Sequence, residues 1–133
     1  MSAPPYNDTL HKAETAFLEQ ELRACDMTLQ DGLENAGEIS DAGDSTSEPA
    51  LWLQDLYGQR RQILQELLAS PQRRTHSLEH MLGDWLHWAD QRLMEMARNA
   101  ESNGSYDPAY WELAQQRALR TDILKQWWNW LHN

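Results

Sequence analysis

The chain has 133 residues and a mass of 15.5 kDa, a size that suits a single domain spanning residues 1–133. Hydrophobic residues make up 41% of it, with seven Trp and one Phe, which is enough apolar side chain for a packed core and argues against pervasive disorder. The formal net charge of −10 argues against a nucleic-acid partner, because such partners are bound through a basic face.

Helix one is predicted to begin near residues 7–9, which are all good N-caps, and to end near Asp31, with Gly32 just after its last turn. Residues 1–8 are predicted to be flexible. Residues 34–48 are small, polar and acidic and include no basic residue. This composition predicts a mobile acidic linker between helices one and two.

Three further helices follow the predicted linker. Helix two begins at residues 47–49, where Pro favours the first turn, and ends near Ala69, before the next Pro. Helix three covers about residues 76–101. Helix four begins at Pro108 and continues nearly to the C-terminus. The short turn between helices two and three predicts that they are antiparallel neighbours.

Apolar residues recur with the helical period on these segments, and no segment alternates with period two. The apolar stripe of helix three comprises Leu78, Leu82, Trp85, Ala89, Leu93, Met96 and Ala100. The sequence therefore predicts an all-α fold, an antiparallel four-helix bundle with a long acidic linker between helices one and two.

Charged residues interrupt the centres of the apolar stripes on helices one, two and four. The predicted members of this buried polar network are Glu14, Glu21, Arg60, Arg117 and Arg120. An unpaired charge there costs several kcal/mol, whereas Arg can hydrogen-bond a carboxylate through two N–H groups. We expect the glutamates to pair with some of the arginines. Two alternatives stay open: the arginines extend to solvent along their stems, or the bundle opens there into a ligand groove.

Helix four carries more Trp than one face can bury. Trp111 lies about 160° around the helix from Trp127, and Trp130 lies about 160° from Trp128. The predicted partner-binding residues are Trp88, Trp111, Trp128, Trp130 and Tyr110, because Trp and Tyr are frequent at interface hot spots. In the alternative interpretation, helix four is buried on two sides, or a Trp lies flat on the surface.

Three histidines on helix three, His76, His80 and His87, resemble part of a metal site. They lie about 160–180° from the centre of the apolar stripe, whereas bundle metal sites project inward from the core. Helix two offers no histidine. We predict that the histidines face solvent and that the protein has no metal and no cofactor, although an exposed pair can bind adventitious zinc weakly.

An enzymatic alternative rests on the spacing Arg-x4-6-His, which is used by HEPN-type helical ribonucleases. Arg74 and His80 match it, as do Arg73 and His80, but an Arg-rich helical protein meets so short a pattern by chance. Cys25 is predicted to be an inert core thiol on helix one. No catalytic residue is predicted.

The compartment is predicted to be the cytoplasm. A single cysteine excludes an internal disulfide, and the first residues lack the basic and apolar regions of a signal peptide. No apolar stretch approaches the roughly 18–20 residues that span a membrane.

The sequence favours a non-enzymatic protein-binding module, an acidic adaptor, regulator or secretion-type chaperone that binds another protein through a Trp-rich helical face. A homodimer seam is one use of that face. The alternative is a helical-bundle enzyme centred on His80, either HEPN-like or metal-binding. Residues 1–50 carry eleven acidic and two basic residues. The acidic linker is expected to act as a flexible arm that steers a basic partner or covers the binding groove in the partner's absence.

Overall fold

The computed structural model describes residues 6–39 and 48–133, with side chains described except at 33–39, 48–51 and 53. The described helices are α1 (Asp8–Ile39), α2 (Glu48–Ala69), α3 (Leu78–Asn103) and α4 (Pro108–Leu131), with a 3₁₀ turn at Pro71–Arg74. No strand occurs in the ranges that the structure describes. The predicted all-α fold class is confirmed.

The chain divides into two compact units. The first contains residues 12–71, which hold most of α1 and all of α2. The second contains residues 72–133, together with the short segment that precedes Lys12. The helix contacts are of the kind found in helical bundles. The single domain of residues 1–133 stays a prediction.

In the unit of residues 12–71, polar side chains join α1 to α2. Glu21 Oε2 lies 3.2 Å from Arg60 Nη2, and Asp26 Oδ1 lies 2.6 Å from Arg61 Nε. Among the described residues of this unit, the buried side chains are Glu14, Phe17, Leu18, Cys25, Ile63 and Leu64. The unit thus combines an apolar core with ion pairs between its two helices.

In the unit of residues 72–133, α3 packs along α4. Residues later in α4 contact residues earlier in α3: Arg117 contacts Asp90, and Arg120 contacts Trp85. The buried apolar side chains are Leu78, Leu82, Ala89, Met96 and Ala100 on α3 and Leu119, Ile123, Leu124 and Trp127 on α4. The α3 residues belong to the predicted stripe, in which Trp85 and Leu93 are half-buried.

Capping residues fix both helices of this unit. Ser77 is the N-cap of α3, where its Oγ accepts a hydrogen bond from the backbone N–H of His80 at 3.0 Å. Gly104 ends α3 in the left-handed conformation, with φ 81°, and its N–H donates to the carbonyl of Ala100. Asp107 then caps α4, with Pro108 in its first turn. The predicted start of α4 is confirmed.

The end of α1 differs from the prediction. The helix continues to Ile39, although Asp31 was expected near its end. Gly32 costs only about 1 kcal/mol inside a helix, and the following Glu and Ala residues favour helix, so no residue there forces a stop. The predicted linker 34–48 is therefore helical at 34–39 and at 48, while residues 40–47 lie outside the described residues.

The predicted flexible N-terminus, residues 1–8, is described only from Tyr6, and residues 1–5 lie outside the description. Asn7 caps α1, since its side-chain Oδ1 accepts a hydrogen bond from the N–H of Thr9 at 3.0 Å. The helix begins at Asp8, within the range where the sequence predicts its start.

Candidate functional site

An aromatic cluster formed by Tyr106, Tyr110 and Trp111 lies at the start of α4. The ring centroid of Tyr106 is 4.7 Å from that of Tyr110 and 5.6 Å from that of Trp111, and the Tyr110 and Trp111 centroids are 4.9 Å apart. Trp111 is 62% exposed and Tyr106 46%. The chain therefore presents a contiguous aromatic surface to solvent here.

The two caps on either side of the connection position this cluster. Gly104 turns the chain out of α3, and Asp107 starts α4 by accepting a hydrogen bond from the N–H of Ala109 at 2.9 Å. Tyr106 directly precedes that cap, which holds its ring beside the first turn of α4. The sequence pattern indicates Tyr110 and Trp111 but not Tyr106, because this residue lies outside any helix.

A cleft of about 370 Å³ adjoins the aromatic cluster. Met96 and Ala100 of α3 contribute apolar surface to its lining, and Arg92, Asn99 and Tyr106 contribute polar groups. Arg92 is already engaged by a carboxylate of the next helical turn, since its Nη1 lies 3.3 Å from an oxygen of Glu95. The cleft extends the aromatic surface toward α3.

Trp88 forms a second exposed aromatic position, on α3. Its ring centroid lies 5.7 Å from that of Trp85, with a tilted geometry. Trp85 is half-buried and is covered by the guanidinium of Arg120 at 3.9 Å from the ring centroid, whereas Trp88 is exposed. Arg120 also donates a hydrogen bond to Gln116 Oε1 at 2.7 Å.

Trp128 lies near the end of α4, roughly 25 Å along the helix axis from Trp111 at 1.5 Å per residue. It is 43% exposed and lines a cleft of about 520 Å³ between the start of α3 and the end of α4. The lining residues of this α3–α4 cleft are Ser77, Glu79, His80, Gly83, Asp84, Leu124 and Trp128. The predicted Trp residues thus occupy several surfaces rather than one face.

The other large apolar side chains of α4 and α2 differ in their exposure to solvent. Trp127 is buried, and Trp130 is half-buried. Leu131, four residues after Trp127 and on the same side of α4, is exposed. Leu131 is the last residue of α4, and helix ends fray. Trp52 on α2 is exposed and was not predicted.

The structure pairs Glu21 with Arg60, two of the predicted members of the buried polar network. Glu21 and Arg60 are 3.2 Å apart, with side chains that are only 22% and 12% exposed. Glu14 is fully buried, and its pairing with an arginine stays a prediction.

Arg117 contacts a carboxylate of α3: its Nε donates to Asp90 Oδ1, and both side chains are over 40% exposed. Its long stem lets the guanidinium reach solvent.

The three histidines make local contacts on the surface. The rings of His76 and His80 stack at 4.9 Å, His80 Nε2 lies 3.1 Å from Asp84 Oδ2, and His87 shares a hydrogen bond with Gln91 at 3.2 Å. Among the described residues, no group of three or more His, Cys, Asp or Glu is arranged to hold a metal ion.

Arg73, one of the two arginines that match the ribonuclease spacing, is 2% exposed. Its Nη2 donates to the carbonyl of His11 at 3.4 Å, and its own carbonyl lies 3.0 Å from His11 Nδ1. These reciprocal contacts tie the first turns of α1 to the 3₁₀ turn. A guanidinium held in this way is not presented to a phosphate, which leaves Arg74, an exposed residue, as the alternative match.

Cys25 is buried in the unit of residues 12–71. Its Sγ donates to the carbonyl of Tyr57 at 3.3 Å. Burial raises the pKa of the thiol, and the positive charge of Arg60 opposes this shift. A buried, protonated thiol is a poor nucleophile, so the geometry suits a structural residue.

No protein-family model, curated protein or solved structure matches this chain. Within the described ranges, no helix is both long enough and apolar enough to cross a membrane.

Proposed function

We propose that this protein is a non-enzymatic protein-binding module, an acidic cytoplasmic adaptor, regulator or secretion-type chaperone. The observation that supports the proposal most strongly is the aromatic cluster, in which Trp111 is 62% exposed and in contact with Tyr106 and Tyr110. Trp and Tyr are the residues that dominate the binding energy of protein interfaces. Trp88 and Trp128 supply further exposed rings.

The energetics favour covering these rings with a partner. A Trp side chain buries about 150–250 Å², and burial is worth about 25 cal/mol per Å². For the exposed part of Trp111, this gives a gross hydrophobic contribution of roughly 2–4 kcal/mol, from which the entropic cost of association is subtracted. An aromatic pair across the interface adds about 0.5–1.5 kcal/mol.

We also propose how the helices of the chain are arranged. The four helices form an antiparallel bundle, and an acidic linker connects α1 to α2. The partner is another protein, with a second copy of the chain as one candidate. The net charge of −10 makes a basic partner surface favourable, because complementary charge accelerates association.

The proposal is tested by site-specific photo-crosslinking in the cells that make the protein. A photoreactive benzoyl-phenylalanine is introduced separately in place of Trp88, Trp111 and Trp128, and at two exposed polar control positions of α4, Gln126 and Asn129. We expect at least one aromatic position to give a discrete crosslinked adduct with one partner protein. The yield of that adduct should be much lower at the control positions.

Two results would contradict the proposal. Adducts of equal yield at Gln126 and Trp111 would indicate random collision rather than a defined interface. The absence of any adduct at all three Trp positions, with the protein folded and present at its normal level, would show that these rings are not covered by a protein. An adduct with a second copy of the chain would identify a homodimer.

A further inference from the structure

The α3–α4 cleft combines an apolar floor with an acidic rim. Leu124 and Trp128 of α4 provide the apolar surface, and Glu79 and Asp84 of α3 provide two carboxylates. No Lys or Arg belongs to the described residues that line it. A cleft of about 520 Å³ lies in the size range of sites that receive a side chain or small ligand.

The electrostatics of the cleft favour a cation. Helix α3 begins at the cleft and α4 ends near it, so the positive end of one helix dipole and the negative end of the other partly offset each other. The carboxylates of Glu79 and Asp84 therefore make the electrostatic potential of the cleft negative. Asp84 Oδ2 faces His80 Nε2 at 3.1 Å, and a carboxylate has acceptor sites for further donors.

The exposed ring of Trp128 makes arginine the favoured cation. Indole is the strongest cation–π partner among side chains, and the planar guanidinium stacks on it while donating to carboxylates. The same pair of helices already contains this contact, since the Arg120 guanidinium lies 3.9 Å from the centroid of the Trp85 ring. A lysine ammonium lacks the planar face and the paired donors.

We propose that the α3–α4 cleft receives an arginine side chain of the protein partner, with its guanidinium against Trp128 and its N–H groups directed to Glu79 and Asp84. This inference rests on the proposed function and names the chemistry of the partner. The complementary charge of an acidic rim and a basic residue is what selects this occupant over an apolar helix or a second copy of this acidic chain.

Gly83 provides a variant that blocks the cleft. It lines the cleft, and a Cβ added there meets nothing within 4 Å. Gly83→Leu therefore extends into the open space without a clash at its Cβ and raises helix propensity. Gly83→Ala is the matched control, because it makes the same backbone change with a single methyl group.

The test titrates the capped pentapeptide acetyl-Ala-Ala-Arg-Ala-Ala-amide into the ¹⁵N-labelled full chain, followed by NMR. The citrulline version of the peptide is the neutral control of equal shape. We expect saturable shifts at the Trp128 indole and the Gly83 amide, with the citrulline peptide about fivefold weaker. Gly83→Leu and Asp84→Asn should each weaken binding about fivefold, while Gly83→Ala should retain it.

Several results would overturn the inference. These are equal affinity for the arginine and citrulline peptides, equal affinity for a lysine peptide, unchanged binding by Gly83→Leu, and no shift at the highest peptide concentration. Shifts at Trp128 that depend on protein concentration alone would assign the cleft to a second copy. If photo-crosslinking from the Trp positions succeeds while the arginine peptide fails, the partner chemistry is wrong and the protein-binding function stands.

Discussion

The guanidinium of Arg120 stacks on Trp85, with its central carbon 3.9 Å from the ring centroid. This contact joins α4 to α3. It involves one of the charged residues that interrupt the apolar stripe of α4. Stacking on a half-buried ring lets Arg120 keep its charge without entering the core.

Removing this cation should weaken the unit. Arg120→Met keeps the length of the side chain and is expected to lower the free energy of unfolding by about 0.5–2 kcal/mol. A double-mutant cycle with Trp85→Leu, measured by urea unfolding, isolates the contact. The expected coupling is about 0.5–1 kcal/mol. Strictly additive losses would show that Arg120 and Trp85 do not stabilise each other.

The two ion pairs between α1 and α2 should differ in strength. The Glu21–Arg60 side chains are 22% and 12% exposed, whereas the Asp26–Arg61 side chains are 46% and 44% exposed. Because solvent screens exposed charges, we expect a coupling of about 1 kcal/mol for the first pair and about 0.2–0.5 kcal/mol for the second. Double-mutant cycles with Gln substitutions measure both. A stronger coupling for Asp26 and Arg61 would contradict the prediction.

Trp111 and Trp127 should separate binding from stability. Trp127 is buried and Trp111 is 62% exposed. We expect Trp127→Ala to lower the free energy of unfolding by about 3–5 kcal/mol and Trp111→Ala to lower it by only about 0.5–1.5 kcal/mol, through lost ring contacts with its neighbouring tyrosines. Urea unfolding, followed by circular dichroism, compares them. A large loss for Trp111→Ala would give that ring a structural role.

Cys25 should be slow to react and should make stability fall at high pH. The raised thiol pKa in the folded state keeps the proton on, while the unfolded chain loses it at its ordinary pKa. The unfolded state therefore binds fewer protons as the pH rises through that value, and the free energy of unfolding decreases.

Two measurements check the Cys25 prediction. Thiol labelling at pH 8 should be slow in the native protein and fast in urea. Unfolding measured across the alkaline range should show a decline that Cys25→Ala removes. Native labelling as fast as that of the unfolded chain would show that Sγ is accessible.

Helix boundaries set by local chemistry were predictable from the sequence. The Asp107-Pro108 start of α4 depends on a cap and a φ angle that adjacent residues provide. The end of α1 was not predictable, because Gly32 permits a stop without requiring one.

Contacts between helices could be predicted only in part from the sequence. Helical periodicity identifies Trp111 as remote from the apolar side, and this ring is exposed. Helical periodicity does not reveal that Arg117 meets Asp90, since this depends on how α3 and α4 are aligned. For the same reason, the sequence could not show that Trp128 shares a cleft with Glu79.

The central claim is that exposed Trp side chains bind a protein. The decisive measurement is the Kd of the crosslinked partner, once purified, for the wild-type chain, the three Ala variants of Trp88, Trp111 and Trp128, and the control Gln126→Ala. We expect at least one Trp variant to bind about 30-fold more weakly, as for a hot spot of about 2 kcal/mol, and Gln126→Ala to bind like wild type. Binding by all three Trp variants within about twofold of wild type, well under 1 kcal/mol, would contradict it.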